Sequence, residues 1–208
     1  MIVSPTTDRG RATVTRVLDA ACLLFARQGI RDTTLDEIGA LADVGRSQLY
    51  HFFASKSDLV ADVISLQVER LIADLQPSLQ AMSNADDVRG WCTAAVAYHE
   101  SSQGPIRCPI GSLVYELDND AADAQLALGA GFARWEAMLA EALRRVGANG
   151  CLAAGVDPAL LAIGLLAAYQ GGMLIADATG NVMPLQRALQ AVLATALVST
   201  VPATARLG

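Results

Sequence analysis

The chain has 208 residues, 53% of them hydrophobic and 17% charged, with a formal net charge of −6. That apolar content, much of it Ala and Leu, can bury a large helical core, and the length allows one domain or a small domain fused to a larger one. The cysteines Cys22, Cys92, Cys108 and Cys151 show no CxxC pair and no His at metal-ligand spacing. This argues against a metal site or a disulfide framework and for a cytoplasmic protein.

The amino terminus, MIVSPTTDRGRATVTRV, lacks the apolar core of a signal peptide and reads as a short arm. A first helix is predicted from about Ala12 to Gln28. Val14, Val17, Leu18, Ala21, Leu24 and Phe25 form its apolar stripe, and Gly29 ends it where a left-handed residue is wanted. Thr33 or Thr34, followed by Asp36 and Glu37, has the pattern of a capping box opening a second helix. Leu35, Ile38, Leu41 and Ala42 recur there at three- and four-residue spacing, and Gly39 stands where a closely crossing helix leaves no room for a larger side chain. Asp43, Val44 and Gly45 break this helix. A short third helix follows from Arg46, with Leu49 and Phe52 turned inward, Phe53 nearby, and Arg46, Ser47, Gln48, Tyr50 and His51 outward. That outer face carries donors, acceptors and one amphipathic ring, which suits a helix lying in a DNA major groove. Ser55, Lys56 and Asp58 open a fourth helix with a cation beside its exposed amides, an arrangement that binds phosphate. This helix is predicted to run to Gln76 and to stop at Pro77.

Further helices are predicted from Asp86 to Ser101, near Gly111 to Leu117, and from Asp120 to Val146 with Asn119 as cap. A linker over 147–156 precedes Asp157-Pro158, a cap followed by proline at the first helical position of a helix reaching Ala178. Pro184 opens a last helix to about Ser199. With no strand signal and no repeat, the fold class is all-α with about nine helices. The stretch from Ala159 to Ala176 is almost wholly apolar, but it is short for a bilayer span, contains Gln170, and lacks a flanking Lys/Arg cluster. It is read as a helix buried on nearly all sides, with no membrane partner. Gly164, Ala167, Ala168, Gly171 and Gly172 would permit close approach of a second subunit.

A net negative charge is unexpected for a DNA-binding protein, so its distribution matters. Residues 1–56 carry a net +1 and the remainder −7. Only a small basic surface is left to meet phosphates, and affinity would lean on groove contacts and dimer geometry.

From about Val14 to Val60 the chain resembles the amino-terminal region of TetR/AcrR-type bacterial transcriptional regulators. The resemblance rests on the paired threonines before Ile38-Gly39, the run Leu49-Tyr50-His51-Phe52-Phe53, and the start Ser55-Lys56-Ser57-Asp58-Leu59. Two positions depart from it: the family usually has Gly at the turn position of Asp43, and often Ser where Gly45 stands, which leaves the third helix a weaker cap. The resemblance implies a three-helix DNA-binding domain over residues 1–56 and a larger helical domain over 57–208 that binds an effector and dimerises. Thr33, Thr34, Arg46, Ser47, Gln48, Tyr50, His51 and Lys56 are the expected contacts to a double-stranded operator. In the family the last two helices of each subunit form a four-helix bundle in the homodimer, a pattern similar to Tyr169–Ile175 and Leu185–Leu197 here. Gly171, Gly172, Leu185 and Leu189 are the expected interface.

The family places its effector pocket in the helical body. Trp91, Tyr98, Tyr115, Trp135, Tyr169 and Met173 are candidates to line it, with Glu100 and Glu116 as counter-charges for an apolar or cationic small molecule, although core packing explains each apolar side chain equally well. Cys108, beside Arg107, is a candidate redox thiol, a merely tolerated thiol being the commoner case. No catalytic residue, cofactor or metal ligand is expected, because no Ser-His-Asp set, HExxH, phosphate loop or paired-carboxylate motif is present. The expected function is a ligand-responsive repressor. The alternatives are a constitutive DNA-binding protein with a filled core and a helical enzyme.

Overall fold

The computed structural model describes residues 5–101, 104–117 and 121–198. Among these are eight α-helices: α1 (Asp8–Asp32), α2 (Leu35–Ala42), α3 (Arg46–Phe52), α4 (Lys56–Ala81), α5 (Ala85–Ser101), α6 (Ala122–Ala148), α7 (Pro158–Thr179) and α8 (Met183–Ala196). A 3-10 helix, Gly111–Tyr115, takes the place of the short helix expected there. The all-α expectation holds. One isolated antiparallel bridge, Leu152 with Leu197, ties the linker before α7 to the end of α8. The expected cap Asn119 and the end at Ser199 lie outside the described residues.

Two compact units emerge, Met1–Asp74 with Cys108–Ala133, and Leu75–Arg107 with Arg134–Gly208. In the first, α1 begins earlier than expected. Thr7 caps it, its hydroxyl accepting from the Gly10 amide at 3.1 Å, so residues read as an arm are already helical from Asp8. Val17, Ala21 and Phe25 turn inward with Ile38, Leu49, Phe53, Leu59 and Ile64, forming the core under the short helices. In the second unit, Leu139, Leu143, Leu165, Leu185 and Leu189 are buried, and α7 and α8 lie against each other along their length.

Helix α4 continues through Pro77 to Ala81 instead of stopping. A proline in a helix interior removes one backbone bond and crowds the preceding turn, at a cost of about 3 kcal/mol. Burial of Leu79 and Met82 beyond it, and a hydrogen bond from the Arg145 guanidinium to the Leu79 carbonyl at 2.5 Å, offset that loss.

Asp62, also on α4, has one carboxylate oxygen buried without a hydrogen-bond partner among the described residues. Desolvation pushes its pKa from 3.8 up to about 6. Between those two values the folded chain holds a proton that the unfolded chain releases. The stability supplied by the protonated form is therefore complete below pH 3.8 and is lost as pH rises through about 6. Asp62→Asn is expected to raise the melting temperature at pH 7.5 and to leave it nearly unchanged at pH 3.5, measured by circular dichroism. An equal gain at both pH values would exclude this origin.

Candidate functional site

The DNA-facing candidate is built from the end of α1 to the start of α4, all within the first unit. Thr34 caps α2. Its hydroxyl accepts from the Glu37 amide at 3.2 Å, and the Glu37 carboxylate accepts from the Thr34 amide at 2.7 Å, the reciprocal box that the sequence predicts. The hydrogen bond from the Thr34 amide is the main reason the Glu37 carboxyl is held below its ordinary pKa. At the other end of α2, Asp43 takes the left-handed conformation, φ 54°, and is the one non-glycine residue with positive φ among those described. A short polar side chain there tolerates what usually requires glycine. The Val44 amide then donates to the Gly39 carbonyl at 2.9 Å. A Cβ at Gly39 would lie 2.9 Å from the Val44 oxygen and 3.6 Å from Leu49 Cδ1, so the turn and α3 require glycine at that crossing. Arg16 donates from Nε to the Ala42 carbonyl at 3.1 Å, which occupies one of the otherwise unpaired carbonyls ending α2.

Helix α3 starts at Gly45 with no side-chain cap, as the absence of Ser implies. Leu49 and Phe52 are buried, while Arg46, Ser47, Gln48, Tyr50 and His51 are exposed together along its outer face. The Arg46 guanidinium carbon lies 5.8 Å from the Tyr50 ring centroid, and its Nε is 3.8 Å from Asp36. Tyr50 and the Asp36 charge beside it raise the Arg46 pKa above its ordinary value. At the start of α4 the Asp58 amide donates to Ser55 Oγ at 3.1 Å, and Lys56 Nζ donates to the Arg31 carbonyl at 3.3 Å.

One expected DNA contact is corrected. Thr33 is 1% exposed, and its hydroxyl donates to the Gly29 carbonyl at 2.7 Å, so it holds the end of α1 and has no side-chain surface to offer a duplex. The pair of threonines divides its work: one is internal, the other is a cap.

The effector candidates separate. In the second unit Tyr169 gathers Trp135 (ring centroids 5.4 Å apart), Trp91 (6.4 Å) and His99 (6.2 Å), with His99 Nε2 and Tyr169 Oη 3.1 Å apart. His99 is buried, and desolvation lowers its pKa, which favours the neutral ring. Trp135 is 1% exposed, yet its indole nitrogen has no hydrogen-bond partner among the described residues, and neither has Gln170 Nε2. Met173 is buried, Glu100 is exposed, and Tyr98 points outward at 70% exposure. Tyr115 and Glu116 belong to the first unit. Tyr115 is 79% exposed, and the Glu116 carboxylate accepts from the Ile30 amide of the same unit at 2.5 Å. The second unit also has a depression of about 440 Å³ between α5 and α8, floored by Cys92, Val96, Leu189 and Leu197. Leu189, expected at the subunit interface, lies here instead, because an apolar residue on an amphipathic helix looks the same in sequence whichever neighbour covers it. Cys108 is buried, and Arg107 pairs with Asp177 at 2.8 Å.

The expected interface residues also divide. Gly172, Leu185 and Leu189 are buried inside the chain, and a Cβ at Gly172 would lie 2.7 Å from Leu185 Cα. They seal α7 to α8. Around Gly171 the space within 4 Å of an added Cβ is empty. The expectation of a helix buried nearly all round is corrected as well: Leu160 (70% exposed), Ile163, Ala167 and Leu174 (63%) form an outward stripe on α7 at helical spacing. Sequence periodicity missed this stripe because the helix is apolar on every face.

Residues 17–63 match the family model for bacterial regulatory proteins of the tetR family, and residues 85–192 match that for the tetracyclin repressor-like C-terminal domain. The chain belongs to the TetR family. Among its curated relatives are the HTH-type transcriptional repressor SCO4008 of Streptomyces coelicolor, 33% identical over 42% of this chain and 43% of that protein, and the HTH-type transcriptional regulator AcrR of Shigella flexneri, 36% identical over 39% and 37%. The matched stretch thus spans about two fifths of these relatives' length. A TetR-family regulator from Agrobacterium tumefaciens shares the fold, with a TM-score of 0.78 at 21% identity over 91% of this chain and all of that one. The SmeT–triclosan complex aligns with a TM-score of 0.71 at 26% identity over 95% and 98%.

Proposed function

We propose that this TetR-family chain is a cytoplasmic, homodimeric transcriptional repressor that leaves its operator when a small molecule binds. The observation that carries the DNA-binding part is the face of α3: Arg46, Ser47, Gln48, Tyr50 and His51 are all solvent-facing, while Leu49 and Phe52 anchor the helix from behind. With Thr34 and Lys56 beside it, this face offers bidentate amide, guanidinium, hydroxyl and imidazole groups to base edges and phosphates. The functional division is at residue 56, the DNA-contacting helices before it and the effector and dimer functions after it.

Two such helices enter successive major grooves of a near-palindromic site, about 34–36 Å apart. Dimerisation is assigned to the outward stripe of α7 around Gly171, and the effector to the aromatic cluster of Trp91, Trp135 and Tyr169. A relative solved with triclosan bound supports a small-molecule effector for this fold. Release requires only that the effector bind better to the state that does not fit the operator; a tenfold loss of operator affinity takes about 1.4 kcal/mol of coupling.

The test begins with a randomised duplex pool, from which the protein is expected to select a near-palindromic site. A panel of aromatic small molecules is then screened by tryptophan quenching, with and without the selected duplex. Linkage requires the duplex to weaken effector binding by the factor with which effector weakens duplex binding. Unequal factors, or no panel member that shifts DNA affinity, would leave a constitutive DNA-binding protein as the better description.

A further inference from the structure

Glu116 was expected to serve as a counter-charge to a ligand, and it is engaged elsewhere. Its carboxylate accepts from the Ile30 amide at 2.5 Å, across 86 residues of sequence and in part-buried surroundings. The reason an acceptor is needed there is local. Gly29 breaks α1 with φ 83° and ψ 166°, so the next amide is turned away from the helical carbonyl it would otherwise meet. A buried amide left unpaired is costly, and a carboxylate is a stronger acceptor than a neutral carbonyl. Gly29 is also fixed by this contact: a Cβ there would lie 2.8 Å from Glu116 Oε2, in a conformation that L side chains rarely adopt.

The turn gripped in this way leads directly into the recognition pair. Thr33 Oγ1 donates to the Gly29 carbonyl at 2.7 Å, the Thr33 amide donates to the Ile30 carbonyl at 3.4 Å, and Thr34 opens the capping box of α2. Lys56 Nζ reaches the Arg31 carbonyl from the start of α4. Residues 29–34 thus fix the angle between α1 and α2, and through the turn at Asp43 the attitude of α3. We propose that Glu116 is a positioning residue for operator recognition: its carboxylate caps the turn between α1 and α2 and holds the helix-turn-helix in the orientation that fits DNA. This rests on the DNA-binding function proposed above. Glu116 is the C-cap of the 3-10 helix Gly111–Tyr115, which belongs to the same unit as α1, α2 and α3.

The test uses the full-length chain and a duplex selected by the wild-type protein from a randomised pool. Glu116→Ala, and Glu116→Asp with its shorter reach, are expected to lower affinity for the selected duplex about tenfold, while binding to a scrambled duplex changes less than about twofold. Glu116→Gln, which keeps an oxygen acceptor at the same reach, is expected to restore affinity to within about threefold of wild type. Hydrogen exchange at the Ile30 amide should accelerate in the Ala variant and stay slow in the Gln variant. Wild-type affinity in Glu116→Ala, a Gln variant as weak as Ala, or unchanged Ile30 exchange would each overturn the proposal while leaving DNA binding intact. Failure of the wild-type chain to select any sequence would instead overturn the DNA-binding function, and this role with it.

Discussion

Replacing Gln48 and Tyr50 together by Ala is expected to abolish sequence-specific DNA binding while leaving the helical circular dichroism unchanged. Both side chains project from the outer face of α3, whereas the residues that hold that helix in place, Leu49, Phe52 and Phe53, lie behind it and are untouched. A lost base contact costs about 1–3 kcal/mol, and two side chains in each of two subunits make four contacts, so specific affinity should fall at least about a thousandfold. Removal of the Tyr50 ring also frees Arg46, which lies over it at 5.8 Å. Released in this way, Arg46 can still reach a phosphate, so weak binding to any duplex should survive. Lys56→Ala provides the contrast. It should weaken all duplexes about equally and reduce the slope of log affinity against log salt by about one, as expected for one lost phosphate contact. Gel-shift titration on selected and scrambled duplexes at several salt concentrations separates the two patterns. A folded double variant with unchanged preference for the selected duplex would show that α3 is not the recognition helix.

Local chemistry made this part of the molecule legible in the sequence. The capping box of Thr34 and Glu37, the turn at Asp43, the small residue at Gly39 and the alternation of inward and outward residues on α3 involve residues at most ten positions apart. Each is dictated by backbone geometry, and the structure realises each of them. Thr33 shows the limit of such reasoning. It is adjacent to the cap and identical in type, and only the break at Gly29 decides that its hydroxyl turns inward. Glu116 lies further beyond reach: nothing in the residues around it signals that an amide 86 positions away needs an acceptor. Pro77 shows the reverse case, in which a strong local rule is overridden because tertiary burial on both sides of the proline outweighs one missing hydrogen bond.

The effector candidates divide for a similar reason. Aromatic residues on helices announce burial but not which neighbour provides it, and so Trp91, Trp135 and Tyr169 meet while Tyr98 and Tyr115 face solvent. Helix α7 presents the same ambiguity in its sharpest form. Being apolar all round, it has no sequence signal for its buried face, and neighbouring glycines take opposite roles. Gly172 lets Leu185 approach within the chain, whereas Gly171 faces open space beside the outward stripe of Leu160, Ile163, Ala167 and Leu174.

That opposition yields the second large effect. Gly171→Arg is expected to convert a dimer at micromolar concentration into a folded monomer of 21.7 kDa. Within the isolated chain the new side chain meets no obstacle, and exchanging glycine for arginine in a helix interior favours the helix by about 0.8 kcal/mol. Between two α7 stripes, however, the guanidinium would be buried against apolar side chains without a partner, and an uncompensated buried charge costs several kcal/mol. Subunit stability and subunit association should therefore move in opposite directions, which a general loss of folding cannot mimic. Gly172→Ala should do the converse. Its methyl group would fall 2.7 Å from the Leu185 backbone, forcing α7 and α8 apart and lowering the melting temperature of each subunit. Sedimentation velocity and thermal unfolding of the two variants, measured side by side, separate an intermolecular face from an intramolecular one. A Gly171→Arg protein that sediments as the wild-type dimer would place the subunit contact on another surface of the molecule.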